Sequence, residues 1–311
     1  MKVPLTSLFE ATTVEEMAEK IRQLRGADEE WPILVPLKAR GSHPPLFVLH
    51  GNDGELLHYR EFVLNVDPEQ PVYGIQPIGL DGRGRPSMRV EEMGERYADE
   101  LCEFLPDGPY LLAGFCFSGV LAYEVAHQLS QRGRPALFVG LIDATPYGVG
   151  RQPTRIELER RKFADFLRLD GRGRRAWIAR RARGVVVKLR LKIRLALYGL
   201  YERSGWKLPR FLHDVEGTLL KAVTGYVSPR SGISVTLFRA VADGVPNVLG
   251  NSAWPSLVEH VELHPIEAEG IRHDTIMREP YVRLLVSEME ACITRALGTD
   301  QGEAEAEVSS G

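Results

Sequence analysis

Cysteine is scarce: three occur in 311 residues, at Cys102, Cys116 and Cys292, and no two form a CxxC pair. That excludes a disulfide framework and a cysteine-rich zinc site, and it suits a reducing cytoplasm. Long apolar runs are missing as well. No stretch of about 18 apolar residues occurs, which excludes a transmembrane helix. The start, Met1-Lys2-Val3-Pro4-Leu5, leads into charged residues and not into the apolar segment of a secretory signal. Net charge is close to absent, with 39 Lys+Arg against 42 Asp+Glu giving −3. Hydrophobic residues reach 44%, too many for a disordered chain and enough for one large α/β core or two small domains. Internal repeats are lacking.

The near-neutral total hides a segregation. Residues 151–210 hold 19 Lys+Arg and 5 Asp+Glu, an excess of +14, so the remainder carries −17. Such a segment is either a solvated helical surface or a docking face for an acidic partner. Nucleic acid is disfavoured, because no stacking motif or second basic stripe accompanies it.

Along the chain, residues 3–22 read as two short helical pieces. Thr13-Val14-Glu15-Glu16 has the form of a capping box, with Thr13 at N-cap and Glu16 at N3. Residues 26–44 read as a linker containing an extended stretch at Ile33-Leu34-Val35. From Pro45 onward, short apolar runs alternate with helical patterns. The runs are Leu46–Leu49, Val72–Gln76, Tyr110–Phe115, Ala136–Ile142, Val235–Phe238 and Val261–Ile266, with helices expected over 89–105, 118–132 and 279–297. That rhythm predicts an α/β fold with a mostly parallel sheet covered on both faces. Residues 150–229 interrupt it as a mostly helical insertion, in which Val187–Leu195 alternates like a strand amid helical surroundings. The acidic, small-residue tail 298–311 reads as disordered.

One stretch carries chemistry. In Gly114-Phe115-Cys116-Phe117-Ser118-Gly119 an apolar strand runs into small residues and then a helix, the layout of a nucleophile elbow with Cys116 at its apex. The amides at the helix start favour an anion there. Ser118 lies two residues past the apex, where a side chain points into helix packing. Cys102 and Cys292 sit inside helical patterns and read as structural thiols.

A nucleophile needs a base, and the base needs an orienting acid. Among eight histidines, His273 follows the last expected strand and precedes the final helix, so its loop can reach the elbow. His264 lies in a strand run, His127 on a helix and His43 in the linker, and all three read as surface or core residues. For the acid, Asp143 ends the strand expected beside the elbow strand, with Asp243 as its competitor. The backbone amides of Phe117 and Asn52, the latter in His50-Gly51-Asn52-Asp53-Gly54, are the expected oxyanion donors. No metal constellation is visible.

From about residue 45 to 297 the chain resembles the C-terminal thioesterase domains of nonribosomal peptide and polyketide synthases. The resemblance rests on Pro45-Leu-Phe-Val-Leu-His-Gly, Gln70-Pro-Val-Tyr-Gly-Ile-Gln-Pro-Ile-Gly-Leu-Asp-Gly, Gly114-Phe-Cys-Phe-Ser-Gly-Val-Leu-Ala-Tyr-Glu, Leu141-Ile-Asp-Ala-Thr-Pro and His273-Asp-Thr-Ile-Met-Arg-Glu-Pro. It implies an α/β-hydrolase fold with a helical lid at 150–229, and a nucleophile, acid and base at Cys116, Asp143 and His273. It also implies a substrate delivered on the 4′-phosphopantetheine arm of a carrier domain, with no bound cofactor or metal. Residues 1–25 look like the end of such a carrier domain, and the basic lid then faces an acidic partner.

Most members place Ser at the apex and Gly at the position of Ser118. With Cys116 at the apex, loading would be an exchange between two thioesters, and the bound acyl group would stay activated. The leading expectation is a chain-releasing enzyme that ends in hydrolysis, cyclisation or transfer to an amine. A freestanding editing thioesterase and a non-catalytic acyl-binding module are the alternatives.

Overall fold

The computed structural model describes residues 32–78, 87, 89–149, 215–242, 245–246 and 253–310, and of the rest only 13–16, 19, 193, 196, 197, 200 and 204. Eight strands form one sheet in the order β1-β3-β2-β4-β5-β6-β7, with β8 also paired to β6. They are β1 (Leu34–Lys38), β2 (Leu46–Leu49), β3 (Val72–Ile75), β4 (Leu111–Phe115), β5 (Phe138–Ile142), β6 (Ser234–Ala242), β7 (Val245–Pro246) and β8 (His260–Glu267). Strands β3, β2, β4, β5, β6 and β8 run parallel, whereas β1 on β3 and β7 on β6 are antiparallel. This is the α/β-hydrolase arrangement expected from the sequence.

The central strands form where the residues leave no polar face. All four residues of β2 and all five of β5 are buried. Strands covered on both sides read as continuous apolar runs for this reason. The helices described with the sheet are α1 (Arg60–Asn65), α2 (Val90–Phe104), α3 (Phe117–Gln131), α4 (Val215–Thr224) and α5 (Tyr281–Ser310). One face of the sheet packs on α2 and α3 through Val90, Tyr97, Leu101, Val120, Leu121 and Val125. The other packs on α1 and α5 through Phe62, Val63, Val282, Leu285 and Met289. Helix α3 is buried almost all round, which fixes the elbow at its start.

Three sequence expectations change. Leu34–Lys38 is a strand of the sheet and not linker, with Val35 and Leu37 turned inward. The segment 298–310 continues α5 and is not a disordered tail. Its Glu and Ala residues are good helix formers, so composition alone misled. The final helix starts at Tyr281 and not at 279.

The capping box is present, with Thr13 N–H donating to Glu16 Oε2 at 3.0 Å and Glu16 N–H to Thr13 Oγ1 at 3.2 Å. Residues 1–12, 17, 18 and 20–25 of the carrier-like segment, Val187–Leu195 apart from Ile193, Asp243 and most of the lid 150–229 lie outside the described residues. Of that insertion, α4 and the chain after it are described. Tyr226 OH donates to Glu124 Oε2 at 2.6 Å, and Tyr123 OH donates to the Pro229 carbonyl at 2.6 Å. No helix among the described residues is long and apolar enough to cross a membrane.

Candidate functional site

Strand β4 ends at Phe115 and α3 begins at Phe117, so the chain reverses its geometry at the single residue Cys116. Cys116 has φ 55° and ψ −114°. Such a conformation costs a residue with a Cβ about 1–3 kcal/mol and persists only where the surroundings enforce it. Two glycines do so. A Cβ on Gly114 would collide with the Ser118 carbonyl, and one on Gly119 would stand 2.5 Å from Ala144 Cβ and 2.8 Å from Gly114 O. The close approach therefore uses Gly114 with Gly119. Ser118 is buried and donates Oγ–H to the His50 carbonyl at 2.8 Å, so it faces packing, as expected.

That bond ties the loop after β2 to the elbow. His50 is fully buried, and burial lowers its pKa to about 4. Its Nδ1 lies 2.8 Å from the Gly51 carbonyl and its Nε2 2.9 Å from Tyr97 OH. A carbonyl can only accept, so Nδ1 carries the proton and Nε2 accepts from the tyrosine. Tyr97→Phe leaves a buried imidazole nitrogen unpaired and is expected to cost about 1–3 kcal/mol, read by urea denaturation. Beyond His50, Asn52 is exposed, and no backbone bond takes its N–H among the described residues. Phe117 N–H is the first amide of α3 and has no partner within the helix.

The acid and the histidine meet at the carboxyl edge of the sheet. Asp143 follows β5 with φ 45° and a side chain closed to solvent. Its N–H donates to Phe238 O at 2.8 Å, and Cys116 N–H donates to Ile142 O at 2.9 Å, so elbow and acid share one edge. Asp143 Oδ1 accepts from Ala240 N–H at 3.1 Å, and Oδ2 accepts from His273 Nδ1 at 3.3 Å. The His273 ring stacks on Phe115, with centroids 4.8 Å apart. The bonded Asp143 carboxylate pushes the imidazole up to about 10, with the Cys116 thiol adding to the shift against partial burial. Arg239 Nη1 stands 3.9 Å from Asp143 Oδ1. Burial lowers the Arg239 pKa, and both of its terminal nitrogens are buried with no hydrogen-bond partner among the described residues.

The structure brings Asp143 and His273 together and places them beside the elbow. A second histidine pair joins Ser231 Oγ to His127 Nδ1 at 3.0 Å. It sits at the other end of the sheet. Ser231 lies three residues before β6, and Ala240 lies six residues into it, roughly 20 Å of strand further on. His127 is ten residues into α3, roughly 15 Å from its start. The two pairs therefore cannot share a proton.

Two sequence expectations are corrected at this point. Cys292 Sγ lies 3.4 Å from His264 Nε2, whereas Cys116 meets His273 only as a thiol that adds to the shift caused by Asp143. A serine hydroxyl, Ser231, and an aspartate carboxylate, Asp143, are each bonded to a histidine, the partner types of Ser-His-Asp hydrolases. The Cys-His-Asp triad, and with it recognition of the chain as a cysteine-nucleophile thioesterase, is not upheld.

Sequence reasoning missed His50, Tyr97 and Arg239. Arg239 could have been found, because a lone cation interrupts the apolar run Val235–Val241. The pairing of His50 with Tyr97 spans 47 residues and has no local signal.

Comparison with known proteins agrees with this architecture. The thioesterase domain family matches residues 44–179. Malpibaldin synthetase of Mortierella alpina is 41% identical over 147 residues, 47% of this chain and 3% of that protein. Aspulvinone E synthetase of Aspergillus terreus is 33% identical over 145 residues, 47% of this chain and 16% of that protein. This chain thus spans a small part of the curated relatives it matches. Among solved structures, a four-domain nonribosomal peptide synthetase bound to AMP and glycine aligns over 90% of this chain and 21% of its own, with TM-score 0.59 and 21% identity. The NocB thioesterase domain, in covalent complex with a fluorophosphonate nocardicin G analog, covers 83% of this chain and 96% of its own, with TM-score 0.53 and 18% identity. At those identities the likeness is one of fold.

Proposed function

We propose that this chain is the chain-releasing thioesterase domain of a nonribosomal peptide or polyketide synthase. It acts on an acyl or peptidyl thioester presented on the phosphopantetheine arm of a carrier domain. The observation that carries this reading is the Asp143–His273 pair at 3.3 Å beside a strand–turn–helix elbow. The residues we assign to the reaction centre are Cys116 at the turn, His273, Asp143, and the backbone amides of Phe117 and Asn52.

The substrate carbonyl lies over the turn, with its oxygen toward the two amides. As an attacking group adds, negative charge grows on that oxygen, and donors aimed there lower the barrier. His273 Nε2 takes the proton of the attacking group and gives it to the departing pantetheine sulfur. The carbon–sulfur bond breaks and the thiol leaves neutral. Asp143 holds Nδ1–H and so keeps Nε2 free for this transfer. Water ends the cycle as an acid, while an internal hydroxyl or amine ends it as a ring. The carrier domain is the macromolecular partner, and the three free cysteines fit a reducing cytoplasm.

The raised His273 pKa sets a pH dependence. The imidazole must be neutral to accept a proton, so release of an acyl-pantetheine is expected to speed up as pH rises toward about 10. Asp143→Asn removes the main cause of the upward shift, so the rising limb is expected to move to lower pH. A stopped-flow thiol-release assay across pH checks this, and an unmoved limb would contradict the assignment. The same shift gives a stability contribution that is complete below about 6.5 and lost as pH rises through about 10.

A further inference from the structure

Far from the elbow in sequence, β8 and α5 bring metal-ligating side chains together. Glu262 and His264 are two residues apart on β8 and share a face. Cys292 lies on α5, one turn after Glu288. His264 Nε2 stands 2.8 Å from Glu262 Oε1 and 3.4 Å from Cys292 Sγ. One carboxylate oxygen, one imidazole nitrogen and one thiol sulfur all fall within 4.8 Å of one another. Zinc bonds of about 2.0–2.3 Å in a tetrahedron place neighbouring donors roughly 3.3–3.8 Å apart, so small side-chain adjustments suffice.

The other imidazole nitrogen supports the same reading. His264 Nδ1 is 3.3 Å from Glu288 Oε2. A carboxylate on the second nitrogen fixes the tautomer and aims Nε2, as in metal-binding histidines generally. The donors are also held in place. Cys292 is 4% exposed and packs in the core under α5, and the His264 ring lies against Phe238 with centroids 5.6 Å apart. A positive charge already occupies the cluster's open side: Arg295 Nη2 is 2.8 Å from Glu262 Oε1 and 3.3 Å from Cys292 Sγ. Its side chain is 54% exposed and can swing into solvent.

We propose that Glu262, His264 and Cys292 form a three-ligand site for a zinc-class divalent cation, with Glu288 orienting His264 and water as the fourth ligand. Thiol and imidazole donors select zinc or cobalt over magnesium and calcium. Binding converts the Cys292 thiol to a thiolate, releases its proton to solvent and displaces Arg295. The ion would clamp β8 to α5.

The test is a Co²⁺ titration of the full chain, reading the thiolate-to-cobalt charge-transfer band and the tetrahedral ligand-field bands. One equivalent is expected to bind, and Zn²⁺ to bleach the bands. They should persist in Cys116→Ala, which removes the exposed elbow thiol as their source, and vanish in Cys292→Ser. Glu288→Gln should weaken binding about tenfold or more. Arg295→Ala retains every ligand and should tighten it, which guards against a misfolded Cys292 variant. Absence of the bands in the unmodified chain, or their survival in a folded Cys292→Ser protein, would overturn the proposal.

Discussion

His273→Ala is expected to reduce release of an acyl-pantetheine thioester by about 10²–10⁴-fold, the contribution of a positioned proton-transfer group. The expectation follows from geometry. His273 is held by Asp143 at 3.3 Å and by stacking on Phe115 at 4.8 Å, so its position is fixed before substrate arrives. Asp143→Asn should lose a comparable factor, because an amide can offer Nδ1 a donor and select the wrong tautomer. His273→Ala should stay folded, because the side chain is 39% exposed, while losing the stability that the Asp143 pairing contributes. Ser231→Ala should leave release close to its original rate, since among the described residues that hydroxyl bonds the distant His127. Steady-state kinetics on the three variants check the set. Loss in Ser231→Ala with retention in His273→Ala would contradict the placement of the reaction centre.

Gly114→Ala is expected to be among the most damaging single-methyl changes in the fold, at about 3 kcal/mol or more. The added carbon meets the Ser118 carbonyl and the Gly119 amide, which are backbone atoms of a helix buried almost all round. A flexible side chain could yield, but backbone cannot without moving α3. Overpacking of well-filled interiors costs about 1–3 kcal/mol, and more where relief requires a shift of main chain. A fall in melting temperature of roughly 6–12 °C corresponds to that range for a domain of this size. Gly133→Ala provides the contrast. Its Cβ would meet nothing within 4 Å, so its cost is limited to the strain of a φ of +70°. Thermal denaturation followed by circular dichroism separates the two.

The parts of this fold that were legible in the sequence share one property. Where both faces of a strand are buried, as in Leu46–Leu49 and Phe138–Ile142, the apolar run is unbroken and reads directly. Strand β1 escaped because only alternate residues turn inward and Pro36 and Lys38 give it a linker's composition. The tail escaped because the Glu-Ala composition of 303–307 suits both a solvated coil and a helix.

The site divides similarly. Asp143 was legible because strand ends on one edge of a parallel sheet converge, and the chosen strand does adjoin the elbow strand. The contact of its Oδ1 with Ala240 N–H was not, since it depends on the register of β6 against β5. The pairing of Asp143 with His273 was legible too, but the bond of Ser231 to His127 was not. That bond depends on angles and distances that a motif does not carry. The cluster of Glu262, His264 and Cys292 was invisible for the same reason, its members joined only by the packing of α5 on β8.

The central claim is that acyl transfer takes place at the elbow. The most direct measurement is tryptic mass spectrometry after photocrosslinking the protein to a photoreactive, non-hydrolysable acyl-pantetheine analogue. The elbow lies on the tryptic peptide 97–132, and Ser231 lies on peptide 231–239. The expected result is a crosslink on peptide 97–132. A crosslink on peptide 231–239, with peptide 97–132 unmodified, would contradict the account.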